Sequence, residues 1–116
     1  MKNVIIIGGG AAGLTAARTA AERGFNVTVV ERNERPARKV MITGKGRCNV
    51  TNDTDVNGLV SAVTDKKSGR FLYSAFNAYS AEDTKEFFET YGVPLKTERG
   101  NRVFPCSDKA VDIVDA

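Results

Sequence analysis

The sequence predicts an α/β fold built on one parallel βαβ unit, and three observations support this. A run of β-branched residues (4–7) leads directly into a glycine-rich turn (8–13). An alanine-rich segment follows, which favours helix and ends near Gly24. A second β-branched run (27–30) then ends on the acid Glu31. Strand, glycine turn, helix and strand in this order are typical of a unit that holds a dinucleotide.

Three glycines of the turn have predicted roles. Gly8 allows the tight turn off the first strand, and Gly13 allows the helix to pack closely against the strands. Gly10 has no Cβ, so the backbone can approach a pyrophosphate. The helix begins with Ala11 and Ala12, and its free N–H groups and positive dipole end would point at the phosphates.

Glu31 lies 18 residues after Gly13, at the carboxyl end of the second strand. A carboxylate there can accept hydrogen bonds from both hydroxyls of a ribose. Because a 2′-phosphate would be repelled by this charge, the sequence favours FAD or NAD over NADP. The alternative is a βαβ unit that binds nothing.

Composition and length place limits on the function. The chain has 116 residues, 41% of them hydrophobic and 27% charged, as expected for one soluble domain. No apolar run is long enough for a membrane span and no signal peptide is recognisable, so we expect a cytoplasmic location without membrane partners. The absence of histidine removes the most common general base and metal ligand. Cys48 and Cys106 lie far apart, so we expect neither a disulfide framework nor a metal site.

Positive charge is concentrated in one window. Residues 32–47 contain six cations and one acid, a net charge of +5 in a chain whose total is +3. One interpretation is a solvated loop. The other is an anion site beside the pyrophosphate, beginning at Arg32 and directly following Glu31.

The remaining elements are predicted in chain order. Residues 32–69 show no clean periodicity, and regular structure is expected to resume near Gly69 with a helical stripe (72–79). A second helix begins at the N-cap Ser80 and ends at Gly92, with aromatic residues that we assign to the core rather than to a cofactor.

A β-hairpin follows that second helix. Residues 93–98 and 102–104 form its strands around Gly100 and Asn101. Ser107 is expected to cap a last helix. An α/β dinucleotide fold needs more parallel strands than two, so residues 1–116 are interpreted as the N-terminal part of a longer domain. The alternative is a small complete domain with an unusually short sheet.

A second dense motif spans residues 38–52. Gly44 and Gly46 allow a loop whose backbone N–H groups face inward, while Arg47, Asn49 and Asn52 supply directed donors. Such a loop suits a flat, polar ring system that can become anionic.

With these motifs the chain resembles the bacterial BaiN/RdsA flavoprotein family, also described as NAD(FAD)-utilising dehydrogenases or aminoacetone oxidase-type FAD-binding enzymes. The resemblance covers the whole chain and rests on residues 8–14, Glu31, Arg38 and Lys39, residues 44–52 and residues 102–105.

The resemblance implies a Rossmann-like FAD domain of the glutathione-reductase type, with three layers, and FAD as the dinucleotide. Residues 8–13 would line the pyrophosphate, and Glu31 the adenosine ribose. Arg38 and Lys39 would lie near the adenosine-phosphate half. The residues expected near the isoalloxazine are Gly44, Gly46, Arg47, Cys48 and Asn49. Family members are several times longer, so a second FAD-contacting segment and a substrate domain are expected outside this chain.

Cys48 is interpreted as a structural or flavin-side contact rather than as a nucleophile. Flavin disulfide reductases place two cysteines five positions apart in a comparable segment, but the matching position here is Asp53. A redox disulfide within the segment is therefore excluded. We expect Cys106 to be a buried small hydrophobe.

The predicted function is a flavin-dependent oxidoreductase, with NAD(P)H as reductant and a small-molecule substrate in the full protein. The sequence identifies no catalytic residue. A cation near the ring, Lys45 or Arg47, would stabilise the reduced anionic flavin. One alternative is a noncatalytic dinucleotide-binding fragment. Another is an RNA-modifying flavoprotein, which is disfavoured because aromatic residues do not interleave with the basic ones.

Overall fold

A computed structural model describes residues 1–116 and contains two small sheets and seven helices. The elements are β1 (Asn3–Ile7), α1 (Ala11–Glu22), β2 (Asn26–Val30), α2 (Arg38–Ile42), β3 (Thr51–Asn52), α3 (Val56–Ala62), α4 (Lys66–Phe71), α5 (Tyr73–Ala78), α6 (Ala81–Thr90), β4 (Leu95–Glu98), β5 (Arg102–Pro105) and α7 (Ala110–Asp115).

The predicted βαβ unit is present. Strands β1 and β2 are parallel and in register from the pair Asn3 and Asn26 to the pair Ile7 and Val30. Alternate residues point to opposite faces, and α1 packs on the face that contains Ile6. The opposite face is bare, with Ile7 80% exposed. The fold is therefore a mixed α/β structure with a Rossmann-like unit at its start.

Regular structure resumes well before Gly69, so the predicted irregular stretch is too long. Helix α2 and a 3-10 turn (Thr43–Gly46) follow the second strand, and β3, α3 and α4 come next. Local capping explains α3 and α4. Asp55 accepts the Gly58 N–H at 2.8 Å, and Asp65 accepts the N–H groups of the first turn of α4. These helices are too short for hydrophobic periodicity to reveal them.

The predicted hairpin is confirmed as β4 and β5. A three-residue turn (Arg99–Asn101) joins them, and Gly100 and Asn101 both have positive φ. Strand β5 is central, because β3 also pairs with it in an antiparallel manner, matching Thr51 with Val103. The motif around residues 47–52 and the motif around 102–105 are thus hydrogen-bonded neighbours.

The two C-terminal helices differ in how they begin. Helix α6 has the predicted cap at Ser80, which forms a capping box with Asp83. The prediction for α7 is wrong by two residues, because its N-cap is Lys109 and not Ser107. The Ser107 hydroxyl instead accepts the Lys109 N–H at 3.2 Å and donates to Asp112 at 2.5 Å.

The largest fully buried side chains are those of the central strand, including Phe104. A neighbouring cluster of Cys48, Ala110 and Ile113 is covered by Phe88 and other half-buried residues of α2, β4 and the segments beside them. The core assignment of the α6 aromatics is thus confirmed for Phe88, whereas Tyr91 is 55% exposed. None of the helices has the length and apolar character required to cross a membrane.

Candidate functional site

The N-terminus of α1 is left open by the protein. Gly10 is the N-cap residue, no side chain caps the helix, and its first turn contains no acid. Helices α3, α4 and α6 are capped by Asp55, Asp65 and Ser80, whereas the short helices α2, α5 and α7 share the absence of a side-chain cap with α1. The first N–H groups of α1 and the positive end of its dipole are therefore available to an anion.

The glycines before α1 and in its first turn have the conformation and spacing of the predicted turn. Gly8 has φ +101°, which L residues with a side chain rarely adopt. A Cβ at Gly13 would lie 1.9 Å from the Gly8 carbonyl oxygen, so only glycine permits this helix to pack so closely on β1. A Cβ at Gly10 would meet no atom within 4 Å. The space over Gly10 is consequently open to a ligand.

Glu31 is fixed next to this turn. Its Oε2 accepts the Gly9 N–H at 2.7 Å, and its Oε1 accepts the Asn33 N–H and side-chain amide, both at 3.0 Å. These hydrogen bonds hold the pKa of Glu31 below its ordinary value. The bond from the Asn33 N–H contributes most to the lowering of this pKa, and the bond from the Gly9 N–H comes next. A carboxylate has about four acceptor positions, so roughly one remains for a ribose hydroxyl.

The basic residues after β2 lie around the same turn. Arg38 donates to the Asn33 side-chain oxygen at 3.4 Å, and Ala37 donates its N–H to the Gly9 carbonyl at 2.7 Å. Arg32 and Lys39 are exposed and form no ion pair. The segment after β2 thus contacts the glycine turn. Its exposed cations have no carboxylate partner, so their positive charge favours an anion at this place.

The second predicted group of site residues forms a strained loop that follows α2. Gly44, Lys45, Gly46 and Cys48 all have positive φ. The non-glycine residues in this conformation each cost about 1 kcal/mol, and such strain is concentrated at functional sites. The inward-facing N–H groups expected here are partly used within the loop, because Arg47 and Cys48 donate to Gly44 and Thr43.

Arg47 and Asn49 fasten this loop to the antiparallel sheet. Arg47 Nη1 lies 3.0 Å from Glu98 and 3.2 Å from Asp108. In the amide orientation that satisfies both of its polar atoms, Asn49 donates to the Thr51 carbonyl at 3.0 Å and to Val103 at 3.3 Å. Asn52 likewise donates to the Gly100 carbonyl at 2.9 Å, so all three predicted donors are engaged with protein.

The two cysteines have opposite environments. Cys48 is buried, and burial raises the pKa of its thiol, opposed in part by a hydrogen bond with Thr43. A thiol with a raised pKa is a poor nucleophile, which fits the structural interpretation. The expectation for Cys106 is wrong, because this residue is exposed. It lies one position past the end of β5, where the chain leaves the sheet for the surface.

The structure brings the predicted residues together in two groups rather than one. The glycine turn, Glu31 and Arg38 form the first, and the loop at 44–49 forms the second, with α2 between them. Sequence reasoning missed Asn33, which joins Glu31 to Arg38. It also missed the partners of Arg47, although the alternation of Lys96 and Glu98 on one strand face was a signal for them.

A parallel βαβ unit with a glycine turn between its first strand and its helix, and an acid after its second strand, defines a Rossmann-like fold. The HI0933-like protein Rossmann domain matches residues 2–116. The chain belongs to this family, whose members are FAD-binding oxidoreductases.

Curated relatives agree with this assignment. The chain is 32% identical over 99% of its length to a 3-dehydro-bile acid delta(4,6)-reductase of Clostridium scindens. It is 30% identical over 97% of its length to a ribosomal RNA dihydrouridine synthase of Escherichia coli, and 32% identical over 96% to the Haemophilus influenzae protein of that name. The chain spans about a quarter of these relatives, namely 27%, 27% and 26% of their lengths.

Proposed function

We propose that this chain binds FAD, with its pyrophosphate at the N-terminus of α1 and its adenosine ribose at Glu31. The observation that carries the proposal is the open N-terminus of α1, where Gly10 leaves space and no side chain caps the helix. Two negative phosphates suit these N–H groups, and the cations Arg32 and Lys39 add a favourable field.

The isoalloxazine is assigned to the loop at residues 44–49, on the family resemblance and on the strained backbone of that loop. Backbone strain of this kind is concentrated at functional sites, and shaping a surface for a flat ring would be one such use. Cys48 would support the loop from beneath, since it is buried in the cluster with Ala110 and Ile113.

The whole protein is proposed to be a flavin-dependent oxidoreductase in which residues 1–116 supply the first part of the FAD domain. A bound flavin carries hydride or electron pairs, while the protein orients it and tunes its potential. NAD(P)H as reductant, a small-molecule substrate and a cytoplasmic location stay predictions. A noncatalytic nucleotide-binding role is the rival.

The names of the relatives support two substrate classes for the whole protein. One relative is named for a bile acid and two for ribosomal RNA, at nearly equal identity to this chain. An RNA substrate is therefore kept as a second candidate. RNA binding that weakens steeply with salt would favour it, because phosphate contacts release counterions.

FAD titration of the intact protein tests the cofactor assignment. Gly10→Ala places a methyl group in the open space over the helix N-terminus, so FAD affinity should fall by about tenfold or more, a loss of at least ~1.4 kcal/mol. Thr19→Ala, on the same helix two turns further on, is the matched control and should bind normally. Equal affinity of the Gly10→Ala variant and the wild type would contradict the pyrophosphate position. A protein that takes up no flavin would contradict the FAD assignment.

A further inference from the structure

Arg47 belongs to a four-charge cluster made by Arg47, Lys96, Glu98 and Asp108. Arg47 contacts both carboxylates, at 3.0 Å and 3.2 Å. Lys96 contacts the same two, with Nζ 2.8 Å from Asp108 and 3.3 Å from Glu98. Each cation therefore bridges both acids, and the cluster joins the loop at 44–49, strand β4 and the turn after β5.

The planar guanidinium group of Arg47 also stacks on an aromatic ring of the sheet. Its guanidinium carbon lies 3.9 Å from the centre of the Phe104 ring, and Phe104 is only 1% exposed. The Phe104 ring also packs closely against the loop at Gly44, because a Cβ added there would lie 3.0 Å from Phe104 Cε1. Arg47 thus connects a strained loop to the buried central strand of the antiparallel sheet.

The charge of Arg47 is neutralised by these contacts. Two cations and two carboxylates give the cluster no net charge, so it projects little field toward a ligand on the loop. Lys45 differs, because it is exposed and pairs with no carboxylate. Of the two cations considered for the flavin, Lys45 alone keeps its charge uncompensated.

We propose that Arg47 is a positioning residue, which holds the loop at 44–49 in its strained shape, and that Lys45 supplies the positive charge for the reduced flavin. The assignment of Lys45 rests on the proposed function. The role of Arg47 rests on contacts within the chain alone. In this arrangement the carboxylates Glu98 and Asp108 support flavin binding although their charge is negative.

Hydrogen exchange of residues 43–49 in the intact, FAD-free protein tests the role of Arg47. Arg47→Gln and Glu98→Gln change the charge in opposite directions, yet both should accelerate exchange in this segment by about tenfold, because both open the cluster. Arg47→Lys should restore little protection, since lysine lacks the planar fork and the stacking face. Lys85→Gln, which breaks the Asp53 pair outside the loop, is the control and should leave residues 43–49 unchanged.

The flavin reduction potential of the loaded protein tests the role of Lys45. Lys45→Gln should lower the potential without changing exchange in residues 43–49. One result would overturn the proposal: Arg47→Gln leaves the exchange of residues 43–49 unchanged and lowers the flavin potential, while Glu98→Gln raises the flavin potential. That combination is the signature of an Arg47 charge acting directly on the ring. The proposal is equally overturned if Lys45→Gln leaves the potential unaltered. If no flavin binds, the proposed function and the Lys45 assignment fail together, and the exchange measurement still decides the role of Arg47.

Discussion

The Glu31 carboxylate accepts the Gly9 backbone N–H at 2.7 Å, which ties the end of β2 to the glycine turn after β1. The two residues are 22 positions apart in the chain but follow the ends of two adjacent parallel strands. The contact aligns the acid with the turn before any ligand arrives. A preorganised acid loses less conformational entropy when a ribose binds.

Glu31→Gln should therefore weaken both the fold and nucleotide binding. Because the folded-state pKa of Glu31 is lowered, its stabilising effect is present above its ordinary value of about 4.5 and is lost as the pH falls through the folded value. The wild type should exceed the variant in stability at neutral pH, and the difference should shrink on acidification below pH 4.5. Urea unfolding at several pH values measures this, and a difference independent of pH would contradict it.

Gly13→Ala should destabilise the protein far more than Gly10→Ala. The added methyl group at position 13 collides with the Gly8 carbonyl oxygen at 1.9 Å, and backbone must move to relieve it. Overpacking of this kind costs about 1–3 kcal/mol or more. At position 10 the methyl group meets nothing and φ is −80°, so thermal unfolding should be nearly unchanged. Similar melting temperatures for the two variants would show that α1 does not pack on β1 as described.

The start of the fold could be predicted because its determinants are local. Gly8, Gly13 and Gly24 occupy positions that need their conformational freedom or their small size, and the β-branched runs on either side specify strands. The cluster around Arg47 could not be predicted in the same way. Its partners Glu98 and Asp108 lie 51 and 61 positions away, and the pairing of β5 with both β3 and β4 brings them near.

Thiol labelling should distinguish the two cysteines. Cys106 is exposed and should react with an alkylating reagent in the folded protein, whereas Cys48 is buried with a raised pKa and should react only on unfolding. Mass spectrometry of the native protein should then find one modified site among residues 1–116, and Cys106→Ser should abolish it. Modification of Cys48 at a comparable rate would mean that the loop at 44–49 opens readily.

Gly44→Ala should damage the loop more than Gly46→Ala, although both positions have positive φ. The conformational cost of about 1 kcal/mol is common to both replacements. At position 44 the new methyl group also lies 2.8 Å from the Asn49 nitrogen and 3.0 Å from Phe104, whereas at position 46 it meets nothing. The difference between the two variants, measured by urea unfolding and by FAD affinity, therefore isolates the contact of the loop with the sheet. If the loop is the isoalloxazine support, Gly44→Ala should lose more FAD affinity than Gly46→Ala, because only the change at position 44 also displaces the loop from the sheet. Equal losses would mean that backbone strain alone, and not the contact with Phe104, determines the shape of the loop.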